Sequence, residues 1–208
     1  STITPEKANN IEAELGYQLT KNMSFIVNIF DIRIKDPIVY LNPSNVFGNY
    51  LNYGELGTRG AEAQFKYKKG QWDVSSNYSF YAISINSIPS YTVDTDSSVS
   101  IGAPAHKYNL LATYHILPKL SVTPSMQFLS KRWYADYNGT FQSLGSDAYF
   151  NVNFRIEDIL IPGFWANVGV RDIFDRGMYY SPGYNSSLNP MPGPSRDFLT
   201  QIGYSVAL

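Results

Sequence analysis

Nine stretches of this chain alternate apolar and polar residues with a period of two, and the links between them alternate short and long. "DAYFNVNFRIED", Asp147 to Asp158, shows the pattern: Ala148, Phe150, Val152, Phe154 and Ile156 share one side, and Tyr149, Asn151, Asn153, Arg155 and Glu157 the other. Successive side chains of a strand point to opposite faces, so such a stretch is a strand whose faces meet different surroundings. The others are "NIEAELGYQLT", "MSFIVNIFDIRIKDPIVY", "GTRGAEAQFKYKKG", "WDVSSNYSFYA", "KYNLLATYHIL", "LSVTPSMQFLSKRWYADY", "FWANVGVRD" and "RDFLTQIGYSVAL". In the second, Met23, Phe25, Val27 and Ile29 are apolar, but then Ile32 and Ile34 are, which predicts a bulge near Phe30. In the sixth, Pro124 weakens the strand or marks another bulge. Apolar spacing of three and four is absent over any long window, so no helix is predicted.

The links decide between architectures. Lys21-Asn22, Lys69-Gly70, Leu117-Pro118-Lys119 and Ile161-Pro162-Gly163 are tight, whereas about 41–50, 87–105, 138–146 and 172–195 are long. A Greek-key sandwich has no reason to sort its loops. An up-and-down barrel in an outer membrane does, with short turns on the periplasmic side and long loops outside. Strands of about 9–11 residues also suffice to cross a bilayer when tilted. The fold class predicted is therefore all-β: an antiparallel up-and-down transmembrane β-barrel segment of about nine strands. A soluble sandwich or closed barrel also alternates along half-buried strands, but leaves the loop sorting and the low charge unexplained. Charged residues are only 16% of the chain, against ~25% in typical soluble domains.

Nine is an odd number. With short turns in the periplasm, the first strand runs down from the outer surface and the last ends in the periplasm. Earlier strands are therefore expected, because open edges are not tolerated in lipid. Residues 1–208 read as the C-terminal part of a larger barrel, or as one chain of a barrel completed by another.

Few features point to chemistry. The net charge of −1 gives no footprint for nucleic acid. With no cysteine, disulfides, thiol nucleophiles and thiolate metal sites are excluded. His106 and His115 lack converging ligands, and "VDTDSS" lacks the glycine and terminal glutamate of a calcium loop. No nucleophile motif or acid/base constellation appears, so no enzyme activity and no cofactor are expected. Glu12, Glu62, Lys66, Arg155 and Arg171 are expected to face a wet lumen or whatever fills it. In "KRWYADY", Trp133 and Tyr134 suit an interfacial aromatic belt, and Trp133 and Tyr137 are also candidate substrate contacts. Tyr179, Tyr180 and Tyr184 in "MYYSPGY" should lie too far out for a belt; ligand contact and loop packing both remain open for them.

Several stretches resemble the C-terminal half of TonB-dependent outer-membrane receptors. "PEKANNIEAELGY" resembles the family's Pro-Glu…Glu-x-Gly approach to a barrel strand. "YLNYGELGTRGAEAQFKY" is similar to its Tyr-x-Asn…Arg-Gly-x-Glu segment, here Tyr50, Asn52, Arg59, Gly60 and Glu62. "APAHKYNLLATYHI" resembles a Pro-x-His-Lys opening, here Pro104, His106 and Lys107. "VGVRDIFDRGMYYSPG" resembles an Asn-x-Phe-Asp-x-x-Tyr stretch, with Arg171 or Asp172 near the usual Asn, and "MPGPSRDF" the approach to the last strand. The resemblance implies a barrel of about 22 strands with a plug inside, of which these would be the final nine. It implies import of a scarce nutrient (iron chelate, cobalamin or glycan) from the bacterial outer membrane, energised by TonB through a segment ahead of the plug. Its partners would be the bilayer, the rest of the barrel, the plug, TonB and a surface lipoprotein or other subunit. A passive channel or adhesin on a similar barrel is the alternative. One departure is that such barrels usually finish on an aromatic residue, whereas this chain ends on Leu208.

Overall fold

The computed structural model describes residues 3–41, 49–88, 91–93, 96–136, 138, 140–181 and 190–205. Among them are seventeen strands: β1 Lys7–Thr20, β2 Met23–Lys35, β3 Ile38–Leu41, β4 Asn49–Asn52, β5 Glu55–Lys69, β6 Trp72–Asn86, β7 Thr92–Val93, β8 Asp96–Ser100, β9 His106–Leu117, β10 Leu120–Leu129, β11 Arg132–Ala135, β12 Phe141–Leu144, β13 Asp147–Glu157, β14 Phe164–Arg171, β15 Tyr179–Tyr180, β16 Met191–Pro192 and β17 Asp197–Tyr204. Nine of them form one sheet in the order β1-β2-β5-β6-β9-β10-β13-β14-β17, antiparallel throughout. These are the nine alternating segments of the sequence, each beside its chain neighbour, as an up-and-down meander requires.

The remaining strands pair into four hairpins, β3–β4, β7–β8, β11–β12 and β15–β16, one in each long link. Because short and long links alternate along a meander, all four hairpins rise from the same end of the sheet. The opposite end carries only the short turns.

The register slides steadily across the sheet. Met23, at the short-turn end of β2, pairs with Tyr67, which pairs with Val74 and then Ala112. By the flanking register Ala112 lies opposite Pro124, and that row continues through Val152 and Val170 to Phe198, near the long-link end of β17. One hydrogen-bonded row thus runs from one end of the sheet to the other, the stagger that tilted barrel strands carry.

The two faces differ in chemistry. The row partners of Ile29, Phe80, Leu110, Met126, Phe154 and Val168 make one face, and among the described residues no second layer covers it. Leu15 is 73% exposed, Phe154 48%, Phe198 77% and Ile202 67%. The soluble-sandwich reading fails here, since continuous apolar surface on this scale is not left in water. Near the short turns this face carries aromatic rings: Tyr17, Tyr67, and Trp72 against Tyr114 with centroids 4.7 Å apart.

Two expectations about irregularity are corrected. The register of β2 is continuous through Phe30 on both sides, so no bulge lies there. Asp31, Arg33 and Lys35 stay on the face of Ile29, and the face itself turns polar as β2 leaves the apolar zone. A bulge occurs instead in β6, where Thr58 pairs with Ile83 and Gly57 with Ile85. Pro124 pairs with Val152 without a shift. Its absent N–H falls on the β9 side, where a Thr113–Thr123 hydroxyl hydrogen bond of 2.9 Å ties the two strands. Finally, "KRWYADY" does not extend the sixth strand: β10 stops at Leu129, and Trp133 and Tyr134 belong to the separate hairpin β11–β12.

Candidate functional site

Among the described residues, three of the four long links pack against one another. Val93, Ile101 and Ala135, from the links on either side of β9 and β10, form a small buried core, with Val99, Trp133 and Phe141 against it. Ile101 forms a parallel bridge with Trp133, and the Gly102 N–H donates to the Trp133 carbonyl at 2.8 Å. The Ser181 hydroxyl donates to the same carbonyl at 3.2 Å. Trp133 therefore packs among loops, with Lys131 Nζ 4.4 Å from its ring centroid; it is not in a bilayer belt. The belt on the described residues is the aromatic set beside the short turns.

Arg132 ties this mass to the sheet. It is 4% exposed, pairs with Asp147 at the start of β13, and donates to the Tyr179 carbonyl at 3.1 Å. Tyr179 and Tyr180 form β15, paired with Pro192 and Met191, and stand 46% and 48% exposed at the rim. Tyr137 and Tyr184 lie outside the described residues, as does Leu208. Arg132 and Asp147 were missed in the sequence. Their 15-residue separation carries no signal until the hairpin folds back over β13.

Carboxylates pin the loops. Asp36, Asp158, Asp172 and Asp175 all have positive φ, between 48° and 53°. Asp and Asn are the side chains that tolerate this region best. Buried to 7% exposure, Asp172 accepts from the Gly177 N–H at 2.9 Å. Asp175 accepts from the Arg196 N–H at 2.9 Å, and that backbone bond, with the guanidinium nearby, holds its carboxyl below the usual range. The Ser98 hydroxyl and N–H lower Asp96 in the same way, and in the short turn the Gly163 N–H, reinforced by Lys119, lowers Asp158.

The polar face is largely a lattice of amides and hydroxyls. Gln64 donates to Asn77, Gln127 to Asn109, Asn151 to Ser125, Asn153 to Asn167, and Asn167 to Gln201. Glu12, Glu62, Lys66, Arg155 and Arg171 all lie on this face by register. Most of them engage the wall itself. Glu62 accepts from Tyr81 at 2.7 Å, and Glu12 from Asn10 at 2.7 Å. Arg171 grips Asp197 through two bonds of 2.7 and 2.6 Å. Arg155 lies 4.2 Å over the Trp165 ring and bonds Glu157 at 2.8 Å. Lys66 forms no ion pair among the described residues. Among those residues no cluster of side chains suited to a metal ion occurs.

An open, staggered antiparallel sheet with a bare apolar face, an amide-lined polar face and packed loops at one end is a wall of a transmembrane β-barrel. Residues 1–173 match the family described as TonB dependent receptor-like, beta-barrel. The chain belongs to that family, whose members are bacterial outer-membrane proteins. Solved structures agree on the fold. The FrpB iron transporter from Neisseria meningitidis (F3-3 variant) superposes with a TM-score of 0.73 at 17% identity, over 97% of this chain and 32% of that one. The ferripyoverdine receptor of the outer membrane of Pseudomonas aeruginosa gives 0.70 at 17% identity, over 96% and 27%. The copper transporter OprC gives 0.72 at 15% identity, over 99% and 32%. The chain thus spans about a third or less of the structures it resembles. No curated protein matches it in sequence. In this setting the apolar face is the lipid face, the polar face lines the lumen, and the long links are extracellular.

Proposed function

We propose that this chain is the C-terminal wall and loop set of an active importer of a scarce nutrient, energised through TonB by way of a plug in the lumen. It is a transport part, not an enzyme. The observation that carries this reading is the union of a family-matched wall with three of its four long links joined, among the described residues, through Arg132, Trp133 and Ser181. A passive pore has no need of a built outer platform, whereas a receptor must present a defined surface to a dilute ligand. The neighbouring structures are named for iron, ferripyoverdine and copper, so metal chelates are the first substrates to try. Tyr179 and Tyr180, half exposed on the platform, are proposed to contact the ligand; the amide lattice inside suits a polar plug that must shift without breaking strong ion pairs.

The test is uptake of labelled iron and copper chelates by cells carrying or lacking the full-length gene, each with and without functional TonB. Import is expected only where both are present. Uptake that needs the gene but not TonB would instead identify a passive channel.

A further inference from the structure

The lipid face changes character where β1, β2 and β5 rise toward the extracellular side. Ala13, Ile29 and Ala61 share one apolar row. In the next rows of that face Ile11 meets Asp31 and Asp31 meets Arg59, then Asn9 meets Arg33, then Lys7 meets Lys35 and Lys35 meets Glu55. Two cavities follow one another along these rows. The lower, of about 430 Å³, is a furrow left by the small Ala13 and Ala61 between Ile11, Ile29 and Phe80, with Asp31 and Arg59 at its upper margin. The upper, of about 290 Å³, is lined by Lys7, Asn9, Arg33, Lys35 and Glu55.

The charge there is out of balance. Arg33 is held by Asp31 at 2.9 Å, yet among the described residues neither Lys7 nor Lys35 has a carboxylate within ion-pair reach. Cations placed just beyond the hydrocarbon boundary attract anionic headgroups, and phosphate oxygens accept strong hydrogen bonds from ammonium and guanidinium groups. We propose that this is a binding site for a phosphorylated, acylated lipid of the outer leaflet. Its phosphate lies on Lys7, Arg33 and Lys35, and one acyl chain fills the Ala13–Ala61 furrow. A free phosphate would use the upper cavity alone; the furrow opening directly beneath it favours an amphiphile.

The full-length receptor in neutral detergent is titrated with diphosphorylated lipid A, dephosphorylated lipid A and inorganic phosphate, and its unfolding temperature is followed. Only the phosphorylated lipid is expected to raise it at micellar concentrations. Lys7→Gln and Lys35→Gln are each expected to raise the half-saturating concentration about fivefold. Ala61→Trp, which fills the furrow below the cavity of Lys7, Arg33 and Lys35, is expected to weaken lipid binding and to leave any response to inorganic phosphate unchanged. Equal stabilisation by inorganic phosphate or by the dephosphorylated lipid would overturn the proposal. So would unaltered lipid binding in the lysine variants or in Ala61→Trp. None of these measurements involves transport, so they stand or fall apart from the importer reading.

Discussion

Gly60 shows how much one residue of the Arg59-Gly60-x-Glu62 motif depends on its cross-strand partner. It faces the lumen opposite Phe30, and a Cβ there would run into the Phe80 carbonyl oxygen and come within 2.6 Å of the Phe30 ring. The ring lies against the glycine and reaches Tyr81, with centroids 5.8 Å apart, while Tyr81 donates to Glu62. The motif is thus a packing unit as well as a charge pattern. Gly60→Val should cost about 1–3 kcal/mol by overpacking, measured by urea unfolding in lipid vesicles. Adding Phe30→Ala should recover only the share of that loss that the ring causes, because the Phe80 carbonyl stays in place. The sequence shows the glycine and the glutamate, but it cannot show that the Phe80 carbonyl and the Phe30 ring, from the two neighbouring strands, are what the glycine accommodates.

Faces are assigned at the same scale. Leu110 and Leu111 are identical and adjacent, yet Leu110 pairs with Ser76 and Met126 on the lipid face, and Leu111 with Ser75 and Ser125 on the lumen face. Leu110→Arg should cost about 2–4 kcal/mol if it sits near the bilayer midplane, and Leu111→Arg under about 1. Similar losses for the two would contradict the assignment of the faces.

Among the elements, hairpin β11–β12 depends on Arg132. Arg132→Ala strands Asp147 and the Tyr179 carbonyl, and breaking such a buried pair costs about 3–5 kcal/mol. Part of Asp147 remains solvated, at 33% side-chain exposure, so the lower end is expected. The readout is proteolytic cutting between Lys131 and Leu144, which should accelerate while the nine-stranded sheet stays intact. Unchanged cutting would show that the apolar contacts of Trp133 hold the hairpin alone. The 172–196 link has a different clasp. The Asp175 carboxyl is depressed by the Arg196 N–H, so its stabilisation is complete above the unfolded carboxylate pKa and is lost as pH falls through the folded value. Hydrogen exchange at the Arg196 amide should therefore be slow at neutral pH and gain protection loss below roughly pH 4. Asp175→Asn should remove most of that acid sensitivity.

For the molecule as a whole, the stagger and the bare lipid face make its stability inseparable from its surroundings. Among the described residues β1 and β17 each have a neighbour on one side only. In a whole receptor those edges are expected to be paired, as lipid requires for every backbone N–H and C=O. The full-length protein should accordingly need detergent for extraction. A water-soluble product after gentle lysis would contradict the membrane reading of the face that carries Leu15, Phe154 and Ile202.

Nearly all of the wall was legible in the chain. A two-residue period reports which face each side chain takes, and link length reports which end each connection occupies; both are local properties of a strand and its turn. What the folded structure alone decided is non-local. The phase change after Ile29 looked like a bulge, because sequence cannot separate a slip in pairing from a change in what the face meets. The continuation past Leu129 looked like strand, because only packing against Val93 and Ile101 turns Arg132–Ala135 into a separate hairpin. Phe30 against Gly60 and the lysines above the alanine furrow are brought together by register across strands, and Arg132 with Asp147 by a hairpin folding back on the sheet; in each the energy lies in contacts that the local pattern does not encode.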